Sequence, residues 1–219
     1  DHRDLHSFPT RRSSDLKRPA EQKPSEKKAF SVTEPNLFWA SILAIITQIV
    51  SFGIIQGFAP RYAAELGAGT EWIGNMATLS HIAKAVGILL CGQFLIRRVS
   101  PRKQLLASLV ITALLLFLMP QLSLPWLIPQ QMLLNASLGV QMMFYMDQAT
   151  SKACPETRST AMGFFQAVYS VGLMLGPIIV GKMAERFDFK SSFITLGVLT
   201  LAALVLALLK LPAREWEGR

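Results

Sequence analysis

Apolar residues along this chain gather into six near-continuous blocks that are separated by short polar or charged segments. A helix needs roughly 20 mostly apolar residues to cross a bilayer, because hydrocarbon offers no water to satisfy exposed backbone groups. A soluble helix would instead carry one apolar stripe and an opposite polar face. The pattern therefore predicts an all-α integral membrane protein with six transmembrane helices. The blocks cover residues 36–59, 71–96, 104–120, 124–147, 159–183 and 191–211.

The segments that flank the blocks do not predict a folded domain. Residues 17–35 are charged and interrupted by prolines, which is typical of a flexible loop. This loop is basic, but no nucleic-acid motif or interleaved aromatic residue accompanies the charge, so we expect no nucleic-acid partner. Residues 212–219 are expected to form a short cytoplasmic tail.

The first sixteen residues, DHRDLHSFPTRRSSDL, lack the apolar core of a secretory signal. They match, residue for residue, one reading frame of a common short-read sequencing adapter. We therefore expect residues 1–16 to be an assembly artefact that replaces a native N-terminal part. A genuine tail is the alternative.

Basic residues are distributed unevenly among the segments between the blocks. Short loops that are rich in Lys and Arg favour the cytoplasmic side of a membrane. If residues 17–35 are cytoplasmic, fourteen basic residues fall on that side and four fall outside. This bias predicts a multi-pass protein of the plasma or inner membrane with both ends in the cytoplasm. It also accounts for most of the net charge of +8.

The second block carries a lysine, Lys84, near its middle. A lysine at the bilayer centre costs roughly 2.5–3.5 kcal/mol on insertion scales, so it normally faces the bundle interior or a water-filled cavity. His81 and Ser80 lie within about 60° of Lys84 on a helical wheel, opposite an apolar side. We predict that Lys84 contacts an anionic or polar substrate or takes part in proton exchange. An ion pair with a carboxylate on another helix is the alternative.

Other blocks also contain polar side chains that are candidates for the same cavity. An imidazole such as His81 can exchange protons near neutral pH, although a lone histidine more often serves as a hydrogen-bonding residue. Amides within a membrane either bind ligands or join helices. The predicted substrate or coupling-ion cavity comprises Lys84, His81, Ser80, Gln48, Gln56, Asn135, Gln131, Gln166 and Tyr169.

The fifth block is rich in small residues that allow close helix packing. Gly172 and Gly176 share one face, whereas Gly163 and Gly181 lie on nearly the opposite one. This arrangement predicts a helix sandwiched between neighbours. Pro177 removes one backbone donor and predicts a kink. Pure packing and a role in a moving helix both remain open.

Two passages resemble the major facilitator superfamily. The segment GQFLIRRVSPRK, residues 92–103, is similar to the loop motif between the second and third helices of a half. Gly92, Arg97, Arg102 and Lys103 fit that motif, whereas Ile96 replaces the usual acid and Val99 the usual glycine. The segment RSTAMGFFQAVYSVGLMLGPIIVGKMAE, residues 158–185, is similar to the penultimate helix.

The resemblance implies the C-terminal half of a twelve-helix transporter that is built from inverted three-helix repeats around a midplane site. Residues 17–35 would be its central cytoplasmic loop, and a missing N-terminal six-helix half would be its partner. The implied function is secondary active transport of a small solute by alternating access, as an ion-coupled permease or efflux carrier without a cofactor. The protein would not be an enzyme.

Other classes of membrane protein fit less well. An intramembrane protease would need a motif such as GxSG or HExxH, and neither occurs in the sequence. An ATP-driven exporter would need a phosphate loop on a separate subunit. A self-contained six-helix channel, or a membrane subunit of a multi-component transporter, remains the alternative.

Overall fold

A computed structural model of the chain describes residues 34–211, apart from the side chains of Ile55, Gln56, Ile96 and Ala184. The predictions made for residues 1–16, for nearly all of the loop 17–35 and for the tail 212–219 lie outside this range. The described part contains α1 (Pro35–Phe52), α2 (Ala59–Glu65), α3 (Thr70–Gln93), α4 (Pro101–Leu118), α5 (Leu124–Thr150), α6 (Arg158–Arg186) and α7 (Phe189–Lys210).

Short non-α segments connect or extend several of these helices. A π-helical stretch, Gly53–Phe58, joins α1 to α2 without interruption. A 3₁₀ turn follows α3 at Leu95–Arg97, and another follows α4 at Met119–Gln121. The second apolar block therefore ends as a helix at Gln93, three residues before its predicted limit, whereas α5 and α6 extend beyond theirs.

Five helices within the described range are long and apolar enough to cross a membrane. They are Pro35–Phe52, Thr70–Gln93, Pro101–Gln121, Arg158–Met183 and Phe189–Lys210. Helix α5 has 27 residues and thus sufficient length, but its amide side chains lower its average hydropathy below that of the others. An all-helical membrane fold is therefore confirmed, and five of the six predicted spans correspond to qualifying helices. The sixth span stays a prediction.

The helix starts follow from local sequence. Prolines occupy the first turn of α1, α4 and α5, where the missing N–H would have had no partner within the helix. At the start of α7, the Asp188 carboxylate accepts a hydrogen bond from the Ser191 backbone N–H at 3.1 Å. This is a side-chain N-cap, which satisfies one of the four unpaired donors at a helix start.

The helices pack mainly in three pairs, which are α3 with α5, α1 with α6, and α4 with α7. Further contacts join α1 to α5 and α7, and α4 to α5. This set of contacts is symmetric. If α1 is exchanged with α5, α3 with α6 and α4 with α7, the same pairs of helices remain in contact. Helices α3 and α6 are the least buried of the five qualifying spans, at 11% and 22%, whereas α1 is 61% buried. Helices α3 and α6 therefore expose broad surfaces.

Two apolar clusters fill the interior, one toward each end of the bundle. Leu43, Leu105 and Phe144 belong to the first cluster, and Phe58 and Phe193 belong to the second. Between them lies a polar layer that contains Thr47, Thr112, Gln141 and Thr200, where the space is too tight for a water molecule. Polar groups in this layer must therefore bond to other protein groups, side chain or backbone, rather than to solvent.

Candidate functional site

Lys84 lies at the contact between α3 and α5. Glycines permit the close approach: a Cβ added at Gly87 would come within 2.9 Å of the Ala136 Cβ, and one added at Gly139 within 2.9 Å of the Lys84 Cγ. The stem of Lys84 therefore rests on the backbone of α5. Small residues allow such approach where lipid gives helices no hydrophobic reason to associate.

The Lys84 ammonium has no protein partner within the described range. The side chain is half-buried, and it forms no hydrogen bond or ion pair with any residue that the structure describes. The described acidic residues lie at or near the ends of helices or in loops: Glu34, Glu65, Glu71, Asp147, Glu156, Glu185 and Asp188. The alternative that Lys84 is neutralised by a carboxylate on another helix therefore finds no partner in residues 34–211.

Ser80 and His81 occupy different environments although they are adjacent in sequence. Ser80 is 2% exposed, and its hydroxyl donates to the Met76 carbonyl at 2.7 Å. This intrahelical bond satisfies the hydroxyl donor without a ligand. His81 is exposed on the surface of α3. The structure thus leaves His81 accessible and directs Ser80 into the helix contact.

The predicted polar stripe of α5 is buried between helices. Gln131 donates from Nε2 to the Met119 sulfur at 3.4 Å, which joins α5 to the end of α4. Asn135 donates from Nδ2 to the Gln131 carbonyl at 2.9 Å, while its Oδ1 is buried without a partner. Asn135 lies one turn before Gly139 and therefore near the level of Lys84.

Gln48 connects the first helix to the same region. It is 7% exposed, and its Nε2 donates to the Met142 sulfur at 3.7 Å. On α5, Met142 lies three residues after Gly139, which packs against Lys84. On the other side of Gln48, a Cβ added at Gly172 of α6 would lie 3.0 Å from the Gln48 Cβ. A continuous row of contacts, hereafter the Lys84–Gln48 row, therefore crosses four helices. The row consists of Lys84, Gly139, Met142, Gln48 and Gly172.

The candidates on α6 lie at its surface. Gln166 is exposed, and Tyr169 is half-buried with its ring 5.4 Å from that of Phe165. The remaining candidate, Gln56, lies in the π-helical stretch, and its side chain is outside the described set. The structure therefore brings Lys84 and Gln48 into one row and leaves His81 and Gln166 on exposed surfaces.

The glycines of α6 divide into two groups. A Cβ added at Gly172 would lie 2.6 Å from the Ile45 carbonyl oxygen, and one at Gly176 would lie 3.3 Å from that of Ile49. At Gly163 and Gly181 an added Cβ would meet nothing within 4 Å. Packing against α1 thus explains the first group, while no described helix covers the second. Exposed Pro177 lies inside α6, which continues to Arg186.

The loop motif residues do not converge on one point. A Cβ added at Gly92 would lie 3.3 Å from the Met143 sulfur, so Gly92 packs against α5. Arg102 donates from Nη2 to the Leu208 carbonyl at 3.3 Å and thereby connects the start of α4 to the last turn of α7. Arg97 and Lys103 are exposed.

Sequence reasoning missed the most connected polar residue of the bundle, Gln141. Its Nε2 donates to the Thr112 hydroxyl at 2.8 Å and to the Ser108 carbonyl at 3.1 Å. Its Oε1 accepts from the Thr47 hydroxyl at 3.2 Å. These bonds join α1, α4 and α5 in the polar layer. The available signal was an amide near mid-depth in an apolar block, with threonines at similar depth in two other blocks.

The fold, with five helices long and apolar enough to cross a membrane, is that of a multi-pass helical membrane protein. The family model described as Major Facilitator Superfamily matches residues 37–217, and the chain belongs to that superfamily. No curated protein and no solved structure matches the chain. The family predicted from residues 92–103 and 158–185 is therefore confirmed. Members of this superfamily are transporters rather than enzymes.

Proposed function

We propose that this chain forms one six-helix half of a secondary active transporter, the C-terminal half, and that it moves a small solute by alternating access. Helix α5 is the remaining span. Its 27 residues extend about 40 Å, which exceeds a hydrocarbon core of about 30 Å. Its amides Gln130, Gln131, Asn135, Gln141 and Gln148 are buried between helices, so lipid does not meet them.

The pairing of the helices supports an origin in two three-helix repeats. The first repeat comprises the continuous helix α1–α2 together with α3 and α4, and the second comprises α5, α6 and α7. Exchange of the two repeats preserves the main contacts, as expected for units related by a two-fold axis. Transporters with such repeats carry their substrate site near the bilayer midplane.

A second six-helix half is the proposed partner of this one. The sparsely buried helices α3 and α6 present His81, Gln166, Gly163 and Gly181 on their open surfaces. Polar and small residues of this kind favour contact with another helix or a water-filled cavity over contact with lipid. The glycine face that finds no partner in residues 34–211 would then pack against the other half.

The orientation of the chain follows from its basic residues. In the described range, Arg97, Arg98, Arg102 and Lys103 lie between α3 and α4, and Lys152 and Arg158 lie near the connection between α5 and α6. Because the helices alternate in direction, these connections lie at the same end of the bundle, together with Lys210. We assign this end to the cytoplasm of the plasma or inner membrane.

The substrate site is proposed to lie at the Lys84–Gln48 row. The observation that carries this assignment is the Lys84 ammonium, which is half-buried and has no described partner. A cation kept in such a place is a site for an anionic or polar solute, or for a coupling ion. Rocking of one half against the other would expose the row to each side in turn. The glycine contacts of α1 with α6 and of α3 with α5 would let this half move as a unit.

The test is solute uptake by the complete transporter in proteoliposomes. A panel of labelled anionic and polar solutes first identifies one that the unmodified protein accumulates. Lys84→Ala should then remove most of this uptake without preventing insertion, and Lys84→Arg should retain part of it. Lys190→Ala removes an exposed lysine from the first turn of α7 and is the matched control, with uptake unchanged.

Two results would contradict the proposal in different ways. Full uptake in Lys84→Ala would exclude Lys84 from the substrate site, although the transporter class would stand. A solute flux that does not saturate with concentration would contradict the transporter class itself. If a steady ionic current accompanied it, the result would favour the alternative of a self-contained six-helix channel.

A further inference from the structure

A groove of about 600 Å³ opens at the end of α3, where the helix gives way to the 3₁₀ turn Leu95–Arg97. Four of its lining residues have apolar side chains or a thiol, and two are arginines. The lining consists of Leu90, Cys91, Phe94, Leu95, Arg97 and Arg98. The groove is therefore apolar along its floor and positively charged at one end.

The apolar floor continues as a stripe along the surface of α3. Leu79, Ile82, Val86 and Leu90 follow one another at spacings of three or four residues, so they lie on one side of the helix. Their side chains are 37%, 53%, 45% and 52% exposed. Leu90 follows Leu79 by eleven positions, which is a rise of about 16 Å and close to half of a hydrocarbon core of about 30 Å. The stripe therefore has the length of one acyl chain in one leaflet.

This stripe points away from the Lys84–Gln48 row and from α5. Ile82 and Val86 each lie two residues from Lys84, which places them about 160° around α3 from it. Gly92, which packs against Met143 of α5, lies about 200° around the helix from Leu90. The groove therefore lies on a surface of α3 that is separate from the proposed substrate site and is suited to contact lipid.

The positive charge at the mouth of the groove is not neutralised by an acidic residue in the described range. Arg97 and Arg98 are exposed and form no ion pair with any residue in the described range. The segment 94–103, FLIRRVSPRK, contains four basic residues and no carboxylate. An ammonium-bearing headgroup would find no anion in this segment, whereas a phosphate would find two adjacent guanidinium groups. Arginines recognise phosphate through short charge-assisted hydrogen bonds.

We propose that this groove binds one anionic phospholipid. The headgroup phosphate contacts Arg97 and Arg98, and one acyl chain follows Leu90, Val86, Ile82 and Leu79 along α3. Basic clusters directly beside a membrane span attract anionic lipids. The bound lipid would fix the position of the turn between α3 and α4 relative to the bilayer.

Cys91 provides a direct readout because it lines the groove and is partly accessible. The experiment uses the complete transporter with Cys91 as its sole cysteine, reconstituted in nanodiscs. One set contains phosphatidylcholine alone, and the other contains equal parts of phosphatidylcholine and phosphatidylglycerol. The measured quantity is the rate at which a maleimide labels Cys91. The anionic lipid should slow this rate severalfold, and the double variant Arg97→Gln/Arg98→Gln should remove the difference between the two sets.

Two matched controls separate a bound lipid from general surface charge. Cys154 follows α5 at the same end of the bundle, so a sole-cysteine protein that retains Cys154 reports the surface potential. Arg186→Gln/Lys190→Gln removes two exposed charges from the other end and should leave the slowing at Cys91 intact.

Three results would overturn the proposal. Equal slowing at Cys91 and Cys154 would indicate surface potential alone. Slowing that persists in Arg97→Gln/Arg98→Gln would exclude the two arginines as the headgroup site. Cys91 that resists labelling equally in both lipid sets would show that protein, such as the other half of the transporter, covers the groove.

Discussion

Gly139 of α5 lies directly against Lys84 of α3: a Cβ added at Gly139 would approach the Lys84 Cγ to 2.9 Å and the Lys84 carbonyl oxygen to 3.0 Å. The glycine thus determines how closely the two helices pack and where the stem of the lysine runs. The position of the Lys84 ammonium is consequently a property of both helices, and a change on α5 should alter the proposed site without touching its charge.

We expect Gly139→Ala to reduce uptake and lower thermal stability, because the added methyl displaces Lys84 or separates α3 from α5. Overpacking of this kind typically costs about 1–3 kcal/mol. Uptake in proteoliposomes and the unfolding midpoint in detergent measure the two effects. Gly74→Ala, on the same helix as Lys84, is the matched control, since the added methyl would meet nothing within 4 Å among the described residues. Normal uptake and stability in Gly139→Ala would refute the close contact.

The α1–α6 contact predicts a graded series of alanine substitutions. At Gly172 the new methyl would meet the Ile45 carbonyl oxygen at 2.6 Å, and this backbone atom cannot rotate away. At Gly176 the corresponding distance to the Ile49 carbonyl oxygen is 3.3 Å. We expect unfolding midpoints to fall most for Gly172→Ala and less for Gly176→Ala. A different order would mean that α1 and α6 pack otherwise.

Gln141→Leu should destabilise the bundle, because Thr112 would lose its bond to the amide and Thr47 would keep only its bond to Tyr145, in a layer too tight for a water molecule. Interhelical hydrogen bonds in membranes are worth about 0.6 to 2 kcal/mol. A double-mutant cycle with Thr112→Val measures the coupling, which we expect to be favourable and of that size. Exposed Gln166→Leu is the matched amide control. Additive effects of Gln141→Leu and Thr112→Val would argue against the bond.

The N-cap of α7 predicts a pH dependence. Hydrogen bonds from the Ser191 side chain and backbone hold the pKa of the Asp188 carboxyl below its usual value. The folded state therefore favours the carboxylate. The stabilisation is fully present above the unfolded-state pKa and is lost as the pH falls through the folded-state pKa.

Asp188→Ala should accordingly lower the unfolding midpoint at neutral pH, and the difference from the unmodified protein should shrink as the medium becomes acidic. Thermal unfolding at a series of pH values measures this difference. Asp188→Asn is the matched variant, because it keeps a capping oxygen without a titrating group. A difference between the unmodified protein and Asp188→Ala that does not depend on pH would exclude the carboxylate cap.

The existence of the helices could be predicted from sequence because the apolar blocks are nearly continuous. Whether a given helix is surrounded by lipid or by other helices could not be predicted, and α5 shows why. Its amides lower its hydropathy, yet Gln141 and Gln131 donate to Thr112 and Met119, which lie in another part of the sequence. Hydropathy treats every residue as though lipid surrounded it, and this assumption fails for a helix at the centre of a bundle.

The candidate site, like the helices, could be predicted only in part from the sequence. Lys84 could be identified because an uncompensated charge in hydrocarbon is costly wherever it points. A helical wheel placed Ser80 beside it, but the Ser80 hydroxyl bonds to the Met76 carbonyl, which no wheel can show. Gln141 was missed for a different reason. The sequence gives the direction of each side chain around its own helix, in steps of about 100° per residue, but it does not show which side of the helix meets a threonine on another helix.

The π-helical stretch Gly53–Phe58 has a consequence for comparing this chain with its relatives. A π turn holds one residue more than an α turn, so every residue after it is rotated by about 100° relative to an uninterrupted α-helix. Tyr62, whose ring lies 5.6 Å from that of Phe193, owes its direction to this extra residue. A relative that lacks the π turn would need a one-residue gap in its alignment here, and positions aligned without that gap would compare side chains that point to different neighbours.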